Sequence, residues 1–458
     1  MTSTTAPNDT PTERQVRRRG QRRRLLLRAV PVGFLAGAIA VAFQLALVVA
    51  EHWRQRGLLY AHDLGQWGWL ATMGGCALSI GTGVWLVQAL APDASGSGIP
   101  QIKTVLHHGR TMRPLRLLIV KFIGGVLAIG GGLTLGREGP TVQMGGAIGQ
   151  FLNDVTRTHP EDRRIITSAG AGAGLAAAFN APLAGMLFVF EELYGFISPP
   201  LLFAVFIAAV TADVVTRTTF GQLSAFHVPM PIIQPLYELP WAGLIGILAG
   251  LLGVLFNRTL LFTQRWMSGM RRWPLGAGGF VVGALVGLVG WFVPDVLGGG
   301  ASLIEHLLGM DISWQIALQF LGLQFVLTMI SYGTGAAGGI FAPLLLFGAL
   351  IGVATVALLQ PWLPFSALGQ QQLAAAIVGM GACFTAIVRA PLTGVVIVLE
   401  MTDGFHLLLP LMIASLIAYG VANALNDTPI YEALMNRQLA TPDPNASKPD
   451  TPSDPDKA

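Results

Sequence analysis

A run of 77 residues without a charged side chain constrains this chain more than any other feature of its sequence. No Asp, Glu, Lys or Arg occurs from Ile312 to Val388, and six shorter charge-free runs lie elsewhere along the chain. A helix that crosses the hydrocarbon core of a bilayer needs about 20 apolar residues. The charge-free runs therefore predict roughly ten or more membrane segments.

Composition places the chain in a bilayer rather than in water. Apolar residues make up 53% of the 458 residues and charged residues only 11%, whereas a soluble domain carries about 25% charged residues. The runs do not alternate polar and apolar residues as the strands of a membrane barrel do. The sequence predicts an all-α integral membrane protein. It offers no nucleophilic triad and no Cys or His grouping for a metal, and no cofactor is expected.

The two ends of the chain differ from its apolar centre. Eight Arg lie between Arg14 and Arg28, just before the first apolar run, and positive residues beside a first span favour the cytoplasmic side. No aromatic residues interleave these Arg, so nucleic acid is not an expected partner. We predict a disordered basic tail at 1–28, a membrane domain at 29–440, and a disordered tail rich in Pro, Asp and Ser at 441–458.

An internal repeat divides the predicted membrane domain. Residues 170–192 resemble residues 379–401 at an offset of 209, and residues 131–149 resemble residues 333–352 at an offset of 203. Gly-rich segments can match by composition alone. The common order of the two blocks, and the shared Ala-Pro-Leu-x-Gly with its following Glu, favour a true repeat and a transport site at the repeat interface. The two repeats cover about 29–225 and 235–440.

Three short motifs place Gly before Pro where a helix is expected to start: GSGIP (96–100), GREGP (136–140) and GGIFAP (338–343). Pro suits the first helical turn because its missing N–H would have no partner there. A helix N-terminus carries free N–H donors and a partial positive charge, so it binds an anion without a full cation. Moderate binding suits transport, because an ion held too tightly is not released.

The ordered set of motifs resembles the CLC family of chloride channels and proton-coupled chloride exchangers. The resemblance covers roughly residues 30–440. It implies a fold of many tilted and broken helices in two inverted-topology repeats, as in prokaryotic members without C-terminal regulatory domains. It also implies a multi-pass homodimer in the bacterial cytoplasmic (inner) membrane, with chloride, protons and membrane lipids as partners.

The resemblance assigns anion-binding roles to individual residues. Ser97 and Gly98 in GSGIP, the backbone N–H groups of Ile340 and Phe341 in GGIFAP, and the hydroxyl of Tyr431 match chloride-coordinating positions of the family. Taken alone, Ser97 would be interpreted as a helix cap and Tyr431 as an interfacial aromatic residue. The set of motifs favours the anion site.

The resemblance also assigns roles to carboxylates. Glu138 in GREGP matches the external gating glutamate, which occupies the anion site until it is protonated; an ion pair with Arg137 is the structural alternative. A charge at mid-bilayer costs about 3 kcal/mol or more, so such a residue is functional by default. Glu192 matches the internal proton-transfer glutamate, which family channels commonly lack. Glu191 has a counterpart in the second repeat, Glu400, so we expect it to serve packing.

Two further polar residues stand close to these motifs. Lys121 is an isolated cation in an apolar segment, and we expect it to bias the field toward anions or to pair with a buried carboxylate. Gln101 follows GSGIP where family members often carry Glu. It lies outside the coordinating positions and does not change the interpretation.

Chloride/proton exchange is the expected function, and three alternatives stay open. The first is a passive chloride channel on the same fold, with or without voltage gating. The second is a fluoride exporter of the family, whose members alter the Ser and Tyr positions that are intact here. The third is a membrane-embedded enzyme, which would need a nucleophile–base pair or a metal cluster among the spans.

Overall fold

The computed structural model describes residues 11–156, 159–222, 226, 239–269, 273–300, 303–304, 312–360 and 368–441, with backbone alone for residues 11–24, 160 and 368. Within these ranges the chain forms sixteen α-helices. The first eight are α1 Pro11–Asp63, α2 Gly68–Leu90, α3 Ile99–His108, α4 Pro114–Gly130, α5 Glu138–Thr156, α6 Pro160–Phe179, α7 Pro182–Phe188 and α8 Pro199–Phe220. The other eight are α9 Pro240–Gly269, α10 Ala277–Phe292, α11 Trp314–Gly333, α12 Phe341–Leu359, α13 Leu368–Val388, α14 Pro391–Thr402, α15 Leu408–Ala424 and α16 Ile430–Leu439.

Eight of the helices in the described part of the chain are long and apolar enough to cross a membrane, which confirms the predicted all-α membrane class. They are α1, α2, α8, α9, α11, α12, α13 and α15; α10 and α14 are shorter and apolar. The most apolar windows of α12 and α13 are 83% and 94% buried inside the protein, against 39–50% for the other six. Because a helix that is apolar all round belongs in an interior, the long charge-free run is explained by the central position of these two helices.

The N-terminal segment differs from its prediction. The structure continues α1 back to Pro11, so residues 11–28 are helical where disorder was expected. Arg, Leu, Gln and Glu are good helix formers, and a helix that has already nucleated in a span extends into such residues at little cost. Residues 1–10 and 442–458, the rest of the predicted tails, lie outside the described residues.

Equivalent helices of the two repeats begin at equivalent positions. α5 and α12 start 203 residues apart, at Glu138 and Phe341, and both contain 19 residues. α7 and α14 start 209 residues apart, at Pro182 and Pro391. The offsets read from the sequence therefore relate helices in space, as expected for two copies of one framework.

Close glycine contacts hold each repeat together. In repeat 1, α5 packs on α6 where Gly145 faces Gly170, and in repeat 2, α12 packs on α13 where Gly348 faces Gly379. A Cβ on any of these four glycines would clash with a backbone carbonyl of the facing helix. Without a hydrophobic driving force between helices in lipid, this close backbone approach supplies the packing.

The two repeats meet antiparallel to each other around the motifs. Gly136 and Gly339, equivalent residues of GREGP and GGIFAP, exchange two backbone hydrogen bonds of 2.7 Å. The carboxylates that end the matched blocks are exchanged as well. Glu191 accepts from the N–H (2.7 Å) and hydroxyl (2.8 Å) of Thr393 at the start of α14, and Glu400 accepts from the N–H of Ala184 (2.8 Å) at the start of α7. Each glutamate thus caps a helix of the other repeat, consistent with the packing role expected for Glu191.

Candidate functional site

Three helix N-termini converge between the repeats, at the three Gly–Pro motifs. α3 begins at Ile99, α5 at Glu138 and α12 at Phe341, which confirms the predicted helix starts. The bridge between the repeats joins the starts of α5 and α12. The start of α3 packs closely against α5. Ser97 Oγ lies so near Gly139 that a Cβ on Gly139 would be only 2.5 Å away from it. Three partial positive charges therefore point toward one buried region.

Gly98 is required at the start of α3 by its backbone and by its neighbour. Its φ is +84°, a conformation that L-residues rarely adopt, and a Cβ there would clash with the side chain of Gln143. Gln143 is held in place by donating to the Asp93 carbonyl (2.8 Å) and to Gln101 Oε1 (3.2 Å). Gln101 thus supports the α3–α5 contact from outside the anion-binding positions.

Lys121 fixes the loop before α3, but not through a carboxylate as was considered from the sequence. It is fully buried on α4, and its ammonium donates to the carbonyls of Ala94 (2.9 Å) and Gly96 (2.6 Å). The loop reaches the second repeat through the Gly96 N–H, which donates to the Ala336 carbonyl (3.0 Å). The loop carbonyls are drawn to α4 because Gly96, with φ of +67°, turns the backbone there. No carboxylate among the described residues contacts the Lys121 ammonium, so the residue anchors the loop to α4 through carbonyls.

Tyr332, at the end of α11, is a site residue that the sequence interpretation missed. Its hydroxyl accepts from the backbone N–H of Ser97 (3.4 Å), and the side chain is buried. Buried Tyr hydroxyls usually have a hydrogen-bond partner. A Tyr inside the long charge-free run, a few residues before GGIFAP, is the signal that could have directed attention to it.

Two buried hydroxyls next to the helix starts lie within reach of each other, and neither has any other hydrogen-bond partner among the described residues. They belong to Ser97 and Tyr431, whose side chains are almost completely buried. Tyr431 lies within hydrogen-bonding reach of Ser97 and within electrostatic range of Glu138 and Glu192, so the structure brings these predicted residues together; Tyr332 is also within electrostatic range of it. An unpartnered buried hydroxyl costs about 1–3 kcal/mol, which an anion between the two hydroxyls would offset.

The carboxyl group of Glu138 reaches from α5 toward the start of α12. It is only 4% exposed and lies beside the backbone N–H of Ala342, while its Oε2 has no hydrogen-bond partner in the described structure. Gly136 leaves the room for this oxygen, since a Cβ there would clash with it. Arg137 does not form an ion pair with Glu138; it donates to the Ala178 carbonyl (3.5 Å). A carboxylate thus occupies a position suited to an anion.

The start of α12 is enclosed by apolar side chains. Ile340 and Phe341 are fully buried. The ring of Phe341 packs against Phe179 of repeat 1 (5.1 Å between centroids) and Phe384 of repeat 2 (4.5 Å). Water is therefore kept from the backbone N–H groups at this end of the helix, which strengthens their interaction with an anion.

Two cavities approach the site and share no lining residue. One, of about 340 Å³, is lined by Arg137, Glu138 and Asn180 among others. The other, of about 530 Å³, is lined by Ser97 and Tyr332 among others. The converging helix starts separate these cavities, as a transport site reached from two sides requires.

Glu192 lies within electrostatic range of Tyr431 and is bonded to a side chain of α3. It stands on a π-helical segment, Val189–Tyr194, that continues α7. Its Oε1 accepts from the ammonium of Lys103 on α3 (2.6 Å), with both side chains largely buried. Lys103 was not singled out from the sequence, because nothing in the spacing of α3 and α7 indicates that the two segments meet.

Comparison with known proteins agrees with this geometry. A model of the family described as "Voltage gated chloride channel" matches residues 75–423. The chain is similar to the H(+)/Cl(-) exchange transporter ClcA of Vibrio parahaemolyticus, with 40% identity over 91% of this chain and 90% of the relative. It is also similar to ClcA of Klebsiella pneumoniae, with 40% identity over 91% and 89%. A solved slow cyanobacterial Cl-/H+ antiporter superimposes with a TM-score of 0.86, 35% identity and coverage of 91% of this chain and 98% of that one.

Proposed function

Since the chain belongs to the CLC, or voltage-gated chloride channel, family, we propose that it exchanges chloride for protons through a mid-membrane anion site. The observation that carries the proposal is the buried Glu138 carboxyl group, which lies beside the Ala342 N–H with one oxygen unpartnered among the described residues. An acid in that position responds to both ions, because chloride competes with its charged form and a proton removes that charge. The protein acts as a homodimer in the bacterial cytoplasmic membrane.

Chloride binds where the helix starts meet. Ser97 and Tyr431 donate their hydroxyls, which have no other partner among the described residues. Gly98 allows the backbone turn that starts α3, and the backbone N–H groups of Ile340 and Phe341 face the ion. No Lys or Arg side chain contacts the ion in this arrangement. Partial charges and neutral donors bind chloride moderately, which allows it to leave on either side.

Protons follow a path that shares only its outer end with chloride. Glu138 takes a proton from the cavity that it lines, which is the external one in this proposal. The protonated side chain leaves the anion position and lets chloride enter. Glu192 exchanges protons with the cytoplasm, because the inner anion path is lined by N–H and O–H donors and offers no acceptor. Tyr431 lies within electrostatic range of both glutamates, and the proton passes between the two acids on Tyr431's side of the site, by side-chain rotation and through water.

A passive chloride channel is the alternative on the same fold, and one reconstitution separates the two. Purified protein in liposomes is given an outward chloride gradient, and chloride and proton fluxes are recorded together. Exchange predicts that protons enter as chloride leaves, in a fixed ratio. Chloride release without proton movement would establish the channel.

A further inference from the structure

Helix α3 holds the π-helical segment at two points one turn apart. The ammonium of Lys103 donates to Glu192 (2.6 Å), and His107 donates from Nε2 to the Leu193 carbonyl (2.7 Å). Residues four apart lie on one face of a helix, so both side chains extend from α3 toward the same segment. The second contact satisfies a carbonyl at the end of the segment; the first meets the proposed proton acceptor itself.

Lys103 is the cation that contacts the Glu192 carboxylate. Other charged or titratable groups face the segment from the elements packed around it: Glu191 on the segment, Tyr431 and Glu432 on α16, His107 on α3, and Arg164 and Glu161 on α6 beside Tyr194. Glu191 is already bound to the start of α14. The two glutamates in range oppose a negative charge on Glu192, so Lys103 provides the opposing attraction.

The same helix begins at the anion site. Ser97 stands two residues before the first residue of α3, Ile99, and Lys103 lies four residues after Ile99, about 6 Å along the helix axis at 1.5 Å per residue. The largely buried pair of Lys103 and Glu192 is 12% and 6% exposed, so little water screens it. One short rigid helix therefore connects a chloride-binding hydroxyl with the proton acceptor.

We propose that Lys103 is a positioning residue for the proton step, which holds Glu192 as a carboxylate turned toward α3 and away from the anion path. Glu192 then accepts a proton only as the contact with Lys103 opens, and the neutral acid is released to turn toward Tyr431. The proposal rests on the proposed exchange function, which supplies the proton step. A merely structural ion pair would affect folding and leave the proton chemistry unchanged.

The test is the internal-pH dependence of coupled proton flux in liposomes. An adjacent ammonium favours the charged form of a carboxyl group, and loss of such a partner moves its titration upward by about one to three pH units. In Lys103→Met and Lys103→Gln, the pH of half-maximal proton flux should therefore rise by about one unit or more. Lys103→Arg should restore the wild-type profile. Arg163→Met, which removes an exposed ion pair with Asp154, should leave the profile unchanged.

The outcomes separate the two proposals. If wild-type protein couples the two fluxes but neither neutral Lys103 variant moves the profile, the positioning role is wrong and exchange stands. If Lys103→Arg behaves like the neutral variants, charge is not what Lys103 contributes, and the proposal also fails. If wild-type protein moves no protons, the exchange function fails and this inference fails with it. Chloride affinity should stay within about twofold of wild type in every Lys103 variant, because Lys103 does not contact the ion.

Discussion

The two repeats share one framework but carry different side chains at two equivalent positions. At the offset of 203, Glu138 at the start of α5 corresponds to Phe341 at the start of α12. At the offset of 209, Glu192 corresponds to Met401. In both cases repeat 1 has an acid where repeat 2 has an apolar residue, so both proposed proton carriers lie in repeat 1.

Residues that build the framework are the same in both halves. Gly136 and Gly339 bridge the repeats through each other, and Glu191 and Glu400 each cap a helix of the opposite repeat. Identity at these positions follows from geometry, because two equivalent segments that meet at an axis make the same contact twice. At these four positions, identity between the halves indicates a structural role.

The backbone of the two halves also differs at one of these two positions, where Glu192 corresponds to Met401. α14 is a regular α-helix through Met401, whereas α7 gives way to the π-helical segment that carries Glu192, in which the Gly195 N–H donates to the Phe190 carbonyl (3.1 Å). A π turn widens a helix and changes the direction of the residues that follow, and such turns are frequent at functional sites. Here the wider turn lies against Lys103.

Among the changes that test this comparison, loss of the outer acid, Glu138, should have the largest effect on transport. We expect Glu138→Ala to keep chloride flux but to abolish proton coupling and the fall in flux with rising pH, because nothing competes with chloride for the anion position. Simultaneous flux recordings in liposomes across pH measure both. Phe341→Leu, at the equivalent position of repeat 2, should stay coupled. A well-folded Glu138→Ala protein without chloride flux would show that the acid is structural.

Loss of the inner acid, Glu192, should affect transport differently from loss of Glu191, the glutamate next to it in the chain. Glu192→Gln should leave chloride flux measurable and remove chloride-driven proton uptake, since the proton loses its cytoplasmic acceptor. Glu191→Gln is the matched control, because the same change one residue earlier affects a cap and should leave transport coupled. Coupled transport in Glu192→Gln, or uncoupled transport in Glu191→Gln, would contradict the assignment.

Loss of either of the two exchanged helix caps should lower the free energy of unfolding. Replacing a carboxylate that accepts from backbone N–H groups weakens hydrogen bonds to a charged group, each worth about 1.5–3 kcal/mol. Glu191→Gln and Glu400→Gln should each lower the free energy of unfolding by about that amount, with the larger loss at Glu191, which also accepts from a hydroxyl. Thermal unfolding in detergent measures this. A loss at one position alone would mean that the caps are not equivalent.

The hydroxyl donors should give the smallest effect. Ser97→Ala and Tyr431→Phe each remove one neutral donor, so chloride affinity by calorimetric titration should fall roughly tenfold, which corresponds to about 1.4 kcal/mol. Tyr431→Ala, which also opens the packing, should loosen coupling. Tyr60→Phe, at an exposed tyrosine, should change neither. Unchanged affinity in both hydroxyl variants would place the anion site elsewhere.

Much of the site could be predicted because it depends on local chemistry. A Gly–Pro motif specifies a helix start whatever surrounds it, so the starts of α3, α5 and α12 were predictable. The repeat offset of 203 also predicted that the starts of α5 and α12 are equivalent. A packing role for Glu191 was expected from its counterpart Glu400, but the helix that it caps was not. These features require only the residue type and its neighbours in the chain.

Contacts between distant segments could not be predicted in the same way. Lys121 binds carbonyls rather than an acid, because the loop that begins the GSGIP motif packs against α4, and the sequence does not specify that contact. Lys103 and Tyr332 reach the site through helix packing that their own segments do not specify. The helix at residues 11–28 continues α1, although the composition there is typical of a solvated tail.

The most direct test of exchange is whether a chloride gradient drives protons against their own gradient. Wild-type liposomes, with the membrane potential clamped near zero, are given an outward chloride gradient against a smaller opposing proton gradient, and internal pH is recorded. Exchange predicts that protons move inward against their own gradient until the two driving forces balance, and that Glu192→Gln abolishes this movement. Chloride release while protons only run down their gradient would contradict the exchange mechanism and support a channel.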